Sequence, residues 1–106
     1  MAEASKKVQQ LINDSPVVVF SKSYCPYCKE TKRTLEGMGA VYEAVELDKA
    51  ADGSALQDAI EELTGQRTVP NTFILQKSIG GNSDLQSLRS SGQLKSLLTD
   101  AGALSA

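Results

Sequence analysis

At 106 residues the chain is long enough for one compact domain with its own core and too short for two, so residues 1–106 are read as a single domain. Its composition, 41% hydrophobic and 23% charged, suits an ordinary soluble globular protein and argues against disordered, membrane-spanning and collagen-like classes. The net charge of −2, with Lys29, Lys32 and Arg33 as the densest cationic cluster, argues against nucleic acid as a partner.

"MAEASKKVQQLIND" places lysines and glutamines where a secretory signal needs an apolar run, and no stretch reaches membrane-spanning length. The expected location is therefore cytoplasmic, with no membrane partner. Val8, Leu11 and Ile12 repeat at helical spacing until "NDSP" ends the pattern, and the β-branched run Val17 to Phe20 reads as a buried strand. Cys28, Leu35 and Met38 then fall near one helical face, with glycines as the stop signal. Ala40 to Leu47 alternates as a second strand. In the next helix Ser54 and Gln57 have capping-box spacing, Leu56, Ala59, Ile60 and Leu63 share a face, and Gly65 follows the end.

"NTFIL" and "QKSI" read as two more strands, and "GGNSD" opens a final helical region carrying Leu85, Leu88, Leu94, Leu97 and Leu98, divided at Gly92. Strand, helix, strand at the start requires a right-handed crossover and a parallel pair. The short link between the last two strands requires an antiparallel hairpin. The pattern predicts an α/β fold, a small mixed sheet with helices on both faces.

Chemistry centres on "SYCPYC", which holds the only two cysteines, Cys25 and Cys28. A structural disulfide there would close a four-residue loop, worth about 2 kcal/mol against about 4.7 for a 100-residue loop. A closed metal site needs four nitrogen or sulfur ligands, and a chain without histidine supplies only these two thiols, so a metal would need a second chain or outside thiols. No metal is expected. The lack of histidine also removes Ser/His and Cys/His nucleophile pairs, so a reactive cysteine must be activated by other means.

Thiol–disulfide exchange fits the local pattern. Pro26 suits the first helical position, which makes Cys25 the N-cap and Cys28 the third helical residue. A sulfur at the cap can accept backbone N–H bonds and sits where the helix end favours negative charge, by about 0.3 to 2 kcal/mol. Lys22 adds a cation upstream. Thiolate is the species that attacks, so Cys25 is the expected nucleophile and Cys28, facing the core, the resolving thiol. Tyr27 is read as a wall of the substrate site.

Two further motifs are ambiguous alone. "TVPN" places Pro70 before a strand, where about 5 to 6% of X-Pro bonds are cis. "GGNSD" is either a turn with a Ser83/Gln86 capping box or an anion site at a helix N-terminus. It lacks a P-loop ending, which argues against nucleotide phosphate.

In this order within about a hundred residues, "KSYCPYC", "TVP" and "GGNSDL" resemble a dithiol glutaredoxin of the fungal or general eukaryotic type, from the first helix to Leu98. The resemblance implies a thioredoxin-like fold with a mixed four-stranded sheet flanked by helices, a cis Val69–Pro70 bond, and glutathione as reductant and ligand. It also implies a glutathione-binding set of Lys22, Tyr27, Gln66, Arg67, Thr68, Val69, Pro70, Gly81, Ser83 and Asp84. The glycine carboxylate would meet Lys22 and Gln66, with Arg67 nearby, and the Val69 backbone would pair with the cysteinyl part. The N–H groups of Ser83 and Asp84 would hold the γ-glutamyl carboxylate, and the Asp84 side chain its ammonium. Glutathionylated and disulfide-containing proteins would be substrates of a monomer. The alternative is a dimer binding a glutathione-ligated iron–sulfur cluster. The chain departs from the family at Leu75–Gln76, where Asn-Gly is common and a tight hairpin wants positive φ.

Overall fold

The computed structural model describes residues 2–104. The elements are α1 Ala2–Asp14, β1 Val17–Ser21, α2 Pro26–Gly37, β2 Glu43–Glu46, α3 Gly53–Thr64, β3 Asn71–Ile74, β4 Lys77–Gly80, α4 Asn82–Ser91 and α5 Gln93–Asp100. The sheet runs β2-β1-β3-β4, with β1 parallel to β2 and antiparallel to β3, and with β3 and β4 forming the antiparallel hairpin.

Every residue of β1 is buried, because the sheet is covered on both faces and a strand in its middle needs apolar side chains on each. Val18 and Phe20 point into a core with Val8 and Ile12 of α1, Leu56 and Ile60 of α3, and Phe73, whose ring meets Phe20 edge-on at 5.6 Å. Val17 and Val19 point the other way, into a core with Leu35 of α2, Leu85 of α4, and Leu94 and Leu98 of α5. This core thus fixes α2, which is capped by Cys25 and carries Cys28, against one face of the sheet.

The second strand is shorter than the expected Ala40 to Leu47. Gly39, at φ 75°, turns the chain so that the Ala40 N–H closes on the Leu35 carbonyl at 2.9 Å. Ala40 then bridges to Leu104, and the Val41 N–H bonds the Ala103 carbonyl at 2.8 Å. The C-terminal segment takes residues that alternation alone assigns to the sheet.

Both expected capping boxes are replaced. Helix α3 begins at Gly53 after Asp52, whose carboxylate pairs with Lys7 at 2.7 Å. Ser54 lies inside the helix, Gln57 donates to the Arg67 carbonyl at 2.9 Å, and Leu63 is 52% exposed rather than packed with its expected face. Helix α4 is capped at Gly81, which has no side chain to bond the helix, and the cap is held from one side by Asp84, whose carboxylate accepts the Gly81 N–H at 3.1 Å. Gln86, freed from Ser83, reaches Thr34 of α2 at 2.8 Å and Asn82 at 3.2 Å.

The hairpin turn takes positive φ at both Leu75 (48°) and Gln76 (71°) without glycine or asparagine. Left-handed backbone costs a non-glycine residue roughly 1 to 2 kcal/mol. The Leu75 N–H bond to the Pro16 carbonyl, 2.9 Å, helps to hold it.

Thr72 of β3 is fully buried, and its hydroxyl is the one buried side-chain polar atom among the described residues that lacks a hydrogen-bond partner. An unsatisfied buried donor costs about 1 to 3 kcal/mol, whereas an apolar group of the same shape does not. Thr72→Val is therefore expected to raise stability by about 1 kcal/mol, read as a higher denaturation midpoint at unchanged m-value. An unchanged or lower midpoint would mean that the hydroxyl is satisfied in solution.

Candidate active site

Cys25 caps α2 in an extended conformation, φ −83° and ψ 118°, with Pro26 at the first helical position. Its Sγ accepts the Cys28 N–H at 3.2 Å, one of the donors that a helix start leaves without a partner. The same sulfur lies 3.9 Å from the carbonyl oxygen of Val69, at the cis Val69–Pro70 bond. The Cys25 N–H bonds the Lys22 carbonyl at 3.0 Å, closing a turn over Ser23 and Tyr24. Asp48 holds that turn from below, its carboxylate accepting both the Ser23 N–H, at 3.0 Å, and the Ser23 hydroxyl. Those bonds, the hydroxyl's first, keep the Asp48 carboxyl below its ordinary range.

The two thiols differ in environment. Cys25 is half-buried and open to the surface, while Cys28, in the first turn of α2, is fully buried. Burial, then the hydrogen bond with Cys25, pushes the Cys28 thiol up to about 12, and the Lys22 backbone and, less strongly, the Lys32 ammonium pull against that rise. Cys28 is thus a protonated reserve and Cys25 the more accessible sulfur.

Two grooves flank Cys25 and meet at Thr68 and Val69. One is lined by Lys22, Tyr24, Cys25, Pro26, Gln57, Arg67, Thr68 and Val69. The other is lined by Tyr27, Thr68, Val69, Pro70, Gly81, Asn82 and Ser83. Tyr24 and Tyr27 stand 66% and 64% exposed beside the sulfur. Nine of the twelve expected site residues therefore line one groove or the other: Lys22, Cys25, Tyr27, Arg67, Thr68, Val69, Pro70, Gly81 and Ser83.

The other three are placed differently. Cys28 lies beneath the grooves. Gln66 turns away, with its amide nitrogen donating to the carbonyls of Thr68 at 3.0 Å and Pro70 at 3.2 Å. Both N–H groups of that amide are spent bracing the loop, so Gln66 has none free for a carboxylate. Asp84 lies at the α4 start with one carboxylate oxygen already on the Gly81 N–H. Arg67 reaches the first groove but forks onto Asp58 at 2.7 Å and Glu61 at 3.0 Å, which offset its charge.

Tyr24, Gln57, Asn82 and the supporting Asp48 were not expected at the site. Asn82 could have been found inside "GGNSD", whereas nothing local marks Gln57 or Asp48, which are brought in by α3 and by the segment after β2. Among the described residues no group of three or more His, Cys, Asp or Glu side chains could hold a metal ion.

The site is thus a buried thiol behind a half-buried one at a helix cap, facing a cis-proline loop. The glutaredoxin family model matches residues 17–79. Glutaredoxin-C6 of Oryza sativa subsp. japonica is 52% identical over 95% of this chain and 90% of its own length. The chain belongs to the glutaredoxin family. A glutaredoxin of Ricinus communis is also 52% identical, over 95% of this chain and 99% of its own length. The crystal structure of a buckwheat glutaredoxin–glutathione complex superposes with a TM-score of 0.96 at 46% identity, covering 98% of this chain and 94% of that one. The thioredoxin-like α/β fold is thus shared with solved family members, and as a glutaredoxin the chain is a thiol–disulfide oxidoreductase.

Proposed function

We propose that the chain uses glutathione to reduce glutathione mixed disulfides and protein disulfides, with Cys25 as nucleophile and Cys28 as resolving thiol. The carrying observation is the pair itself: an open sulfur accepting a helix N-terminal N–H, above a fully buried thiol. In the first reaction the Cys25 thiolate attacks the glutathione sulfur of a mixed disulfide and the protein thiolate leaves. A second glutathione thiolate then attacks the glutathione sulfur on Cys25, releasing oxidised glutathione. With a protein disulfide, Cys25 forms a mixed disulfide with the substrate. Cys28 attacks the Cys25 sulfur, the substrate thiolate leaves, and two glutathiones reduce the Cys25–Cys28 disulfide.

Glutathione lies across the two grooves in this reading. Its glycine carboxylate meets Lys22 and Arg67, its cysteinyl backbone runs beside Val69, and Tyr27 and the Thr68–Pro70 loop form the wall. Its γ-glutamyl end reaches the N-terminus of α4, beside Gly81, where Ser83 and Asp84 present backbone N–H groups and the Asp84 carboxylate faces the ammonium. Gln66 shapes the loop rather than touching the ligand. The working form is a monomer in the cytoplasm, and no observation favours the cluster-binding dimer over it.

The charges make this orientation testable. Arg67 is already paired with Asp58 and Glu61, while Lys22 makes no ion pair among the described residues. Lys22→Ala should raise the KM for a glutathione–cysteine mixed disulfide about fivefold, roughly 1 kcal/mol, with kcat nearly unchanged. Arg67→Ala should raise it less. An unchanged KM in Lys22→Ala would remove the carboxylate from this groove.

A further inference from the structure

We propose that Lys32, held by Glu46 and Ser21, is a positioning residue for the resolving step: it places an ammonium on the Cys28 face of α2, where it favours the thiolate which must attack Cys25. The inference deepens the function proposed above and rests on Cys28 acting as the resolving thiol.

Lys32 lies one helical turn after Cys28 on α2, so the two side chains share a face. Its side chain is only 18% exposed, although lysine is a residue that ordinarily keeps its charged end in water. The Lys32 ammonium pairs with one oxygen of Glu46, at the end of β2. The other oxygen of Glu46 accepts the hydroxyl hydrogen of Ser21, a fully buried residue at the end of β1. The strand ends are themselves joined, since the Leu47 N–H bonds the Ser21 carbonyl at 2.8 Å. The cation is therefore tied to the ends of β1 and β2.

The resolving step explains why a cation belongs there. Cys28 is fully buried, and burial disfavours the charge that it must acquire. The groups that act on it are Cys25 at the cap, the Lys22 backbone in the preceding turn, and Lys32, the only side-chain cation among them. A purely structural reason is weaker. A partly buried ion pair can often be replaced by apolar packing at little cost, so stability alone does not call for a lysine. In the step itself Cys28 gives its proton to solvent, its thiolate attacks the Cys25 sulfur, the bond from Cys25 to the leaving sulfur breaks, and the leaving thiolate keeps the electron pair.

The test mixes the reduced protein with 5,5′-dithiobis(2-nitrobenzoate) in a stopped-flow absorbance experiment. Cys25 releases the first nitrothiobenzoate, and Cys28, closing the disulfide, releases the second. Lys32→Met and Lys32→Gln, the latter able to keep a hydrogen bond to Glu46 without the charge, should slow the second phase about threefold to tenfold. The first phase should be unchanged, and Lys32→Arg should restore the second. A second phase within twofold of wild type in Lys32→Gln overturns the inference. So does equal slowing of both phases, which would mark Lys32 as structural. If the wild-type protein shows no second phase, the resolving role of Cys28 itself fails and the inference with it.

Discussion

Replacing Cys25 by serine should reduce turnover of a glutathione mixed disulfide to background, a loss of at least about three orders of magnitude, because an alcohol at that cap does not ionise to a nucleophile. The environment that serves the sulfur would remain, including the Cys28 N–H, the turn closed on Lys22 and the Asp48 anchor. What is lost is the thiolate. Cys28→Ser should behave differently, keeping turnover of the glutathione mixed disulfide within about threefold while losing closure of the internal disulfide. Glutathione can resolve the intermediate at Cys25 from the open groove, whereas a bulky protein disulfide needs the thiol beneath. Turnover coupled to glutathione reductase measures the first reaction, and trapping of a covalent complex with a disulfide-containing protein measures the second. Equal residual rates in the two variants would mean that the thiols are interchangeable, contrary to the difference in their burial.

The cysteine site was legible because its determinants are local. Pro26 fixes the helix start, the start fixes Cys25 as cap, and helical geometry then turns Cys28 inward. The mixed sheet followed similarly, from the crossover between β1 and β2 and the short link between β3 and β4. The cis bond at Val69–Pro70 came from family resemblance, since a lone X-Pro favours trans.

What escaped sequence reading depends either on partners distant along the chain or on local bonds that compete with the expected ones. Ala40 and Val41 alternate like a strand but are claimed by Ala103 and Leu104. Ser83 and Gln86 have capping-box spacing, yet Asp84 reaches Gly81 first and Gln86 finds Thr34, 52 residues away. Gln66 was expected at a carboxylate, but the loop folds back so that two carbonyls consume its amide. The Lys32–Glu46–Ser21 set spans three elements and has no sequence spacing to betray it.

The largest stability effect is expected at Gly53, the first residue of α3. It is buried against the end of β2, and a Cβ built there would lie 1.8 Å from the Leu47 carbonyl oxygen and 2.8 Å from its carbon. Those are backbone atoms, so no side chain can rotate to relieve the overlap. The helix start or the segment after β2 must move. Gly53→Ala is expected to cost about 3 kcal/mol or more, at the upper end of overpacking changes, and to lower Tm by roughly 10 to 20 °C. The displacement should also reach the active site, because Leu47 leads directly into Asp48, which anchors Ser23 two residues before Cys25. Gly65→Ala is the comparison: its φ of 80° is strained for alanine, but no atom lies within 4 Å of the added carbon. Thermal denaturation of both variants with a turnover assay tests the argument. If Gly53→Ala is no less stable than Gly65→Ala, the close approach of α3 to Leu47 is looser than the structure places it. If it is less stable but turns over normally when folded, the route from Gly53 through Asp48 to Cys25 does not operate.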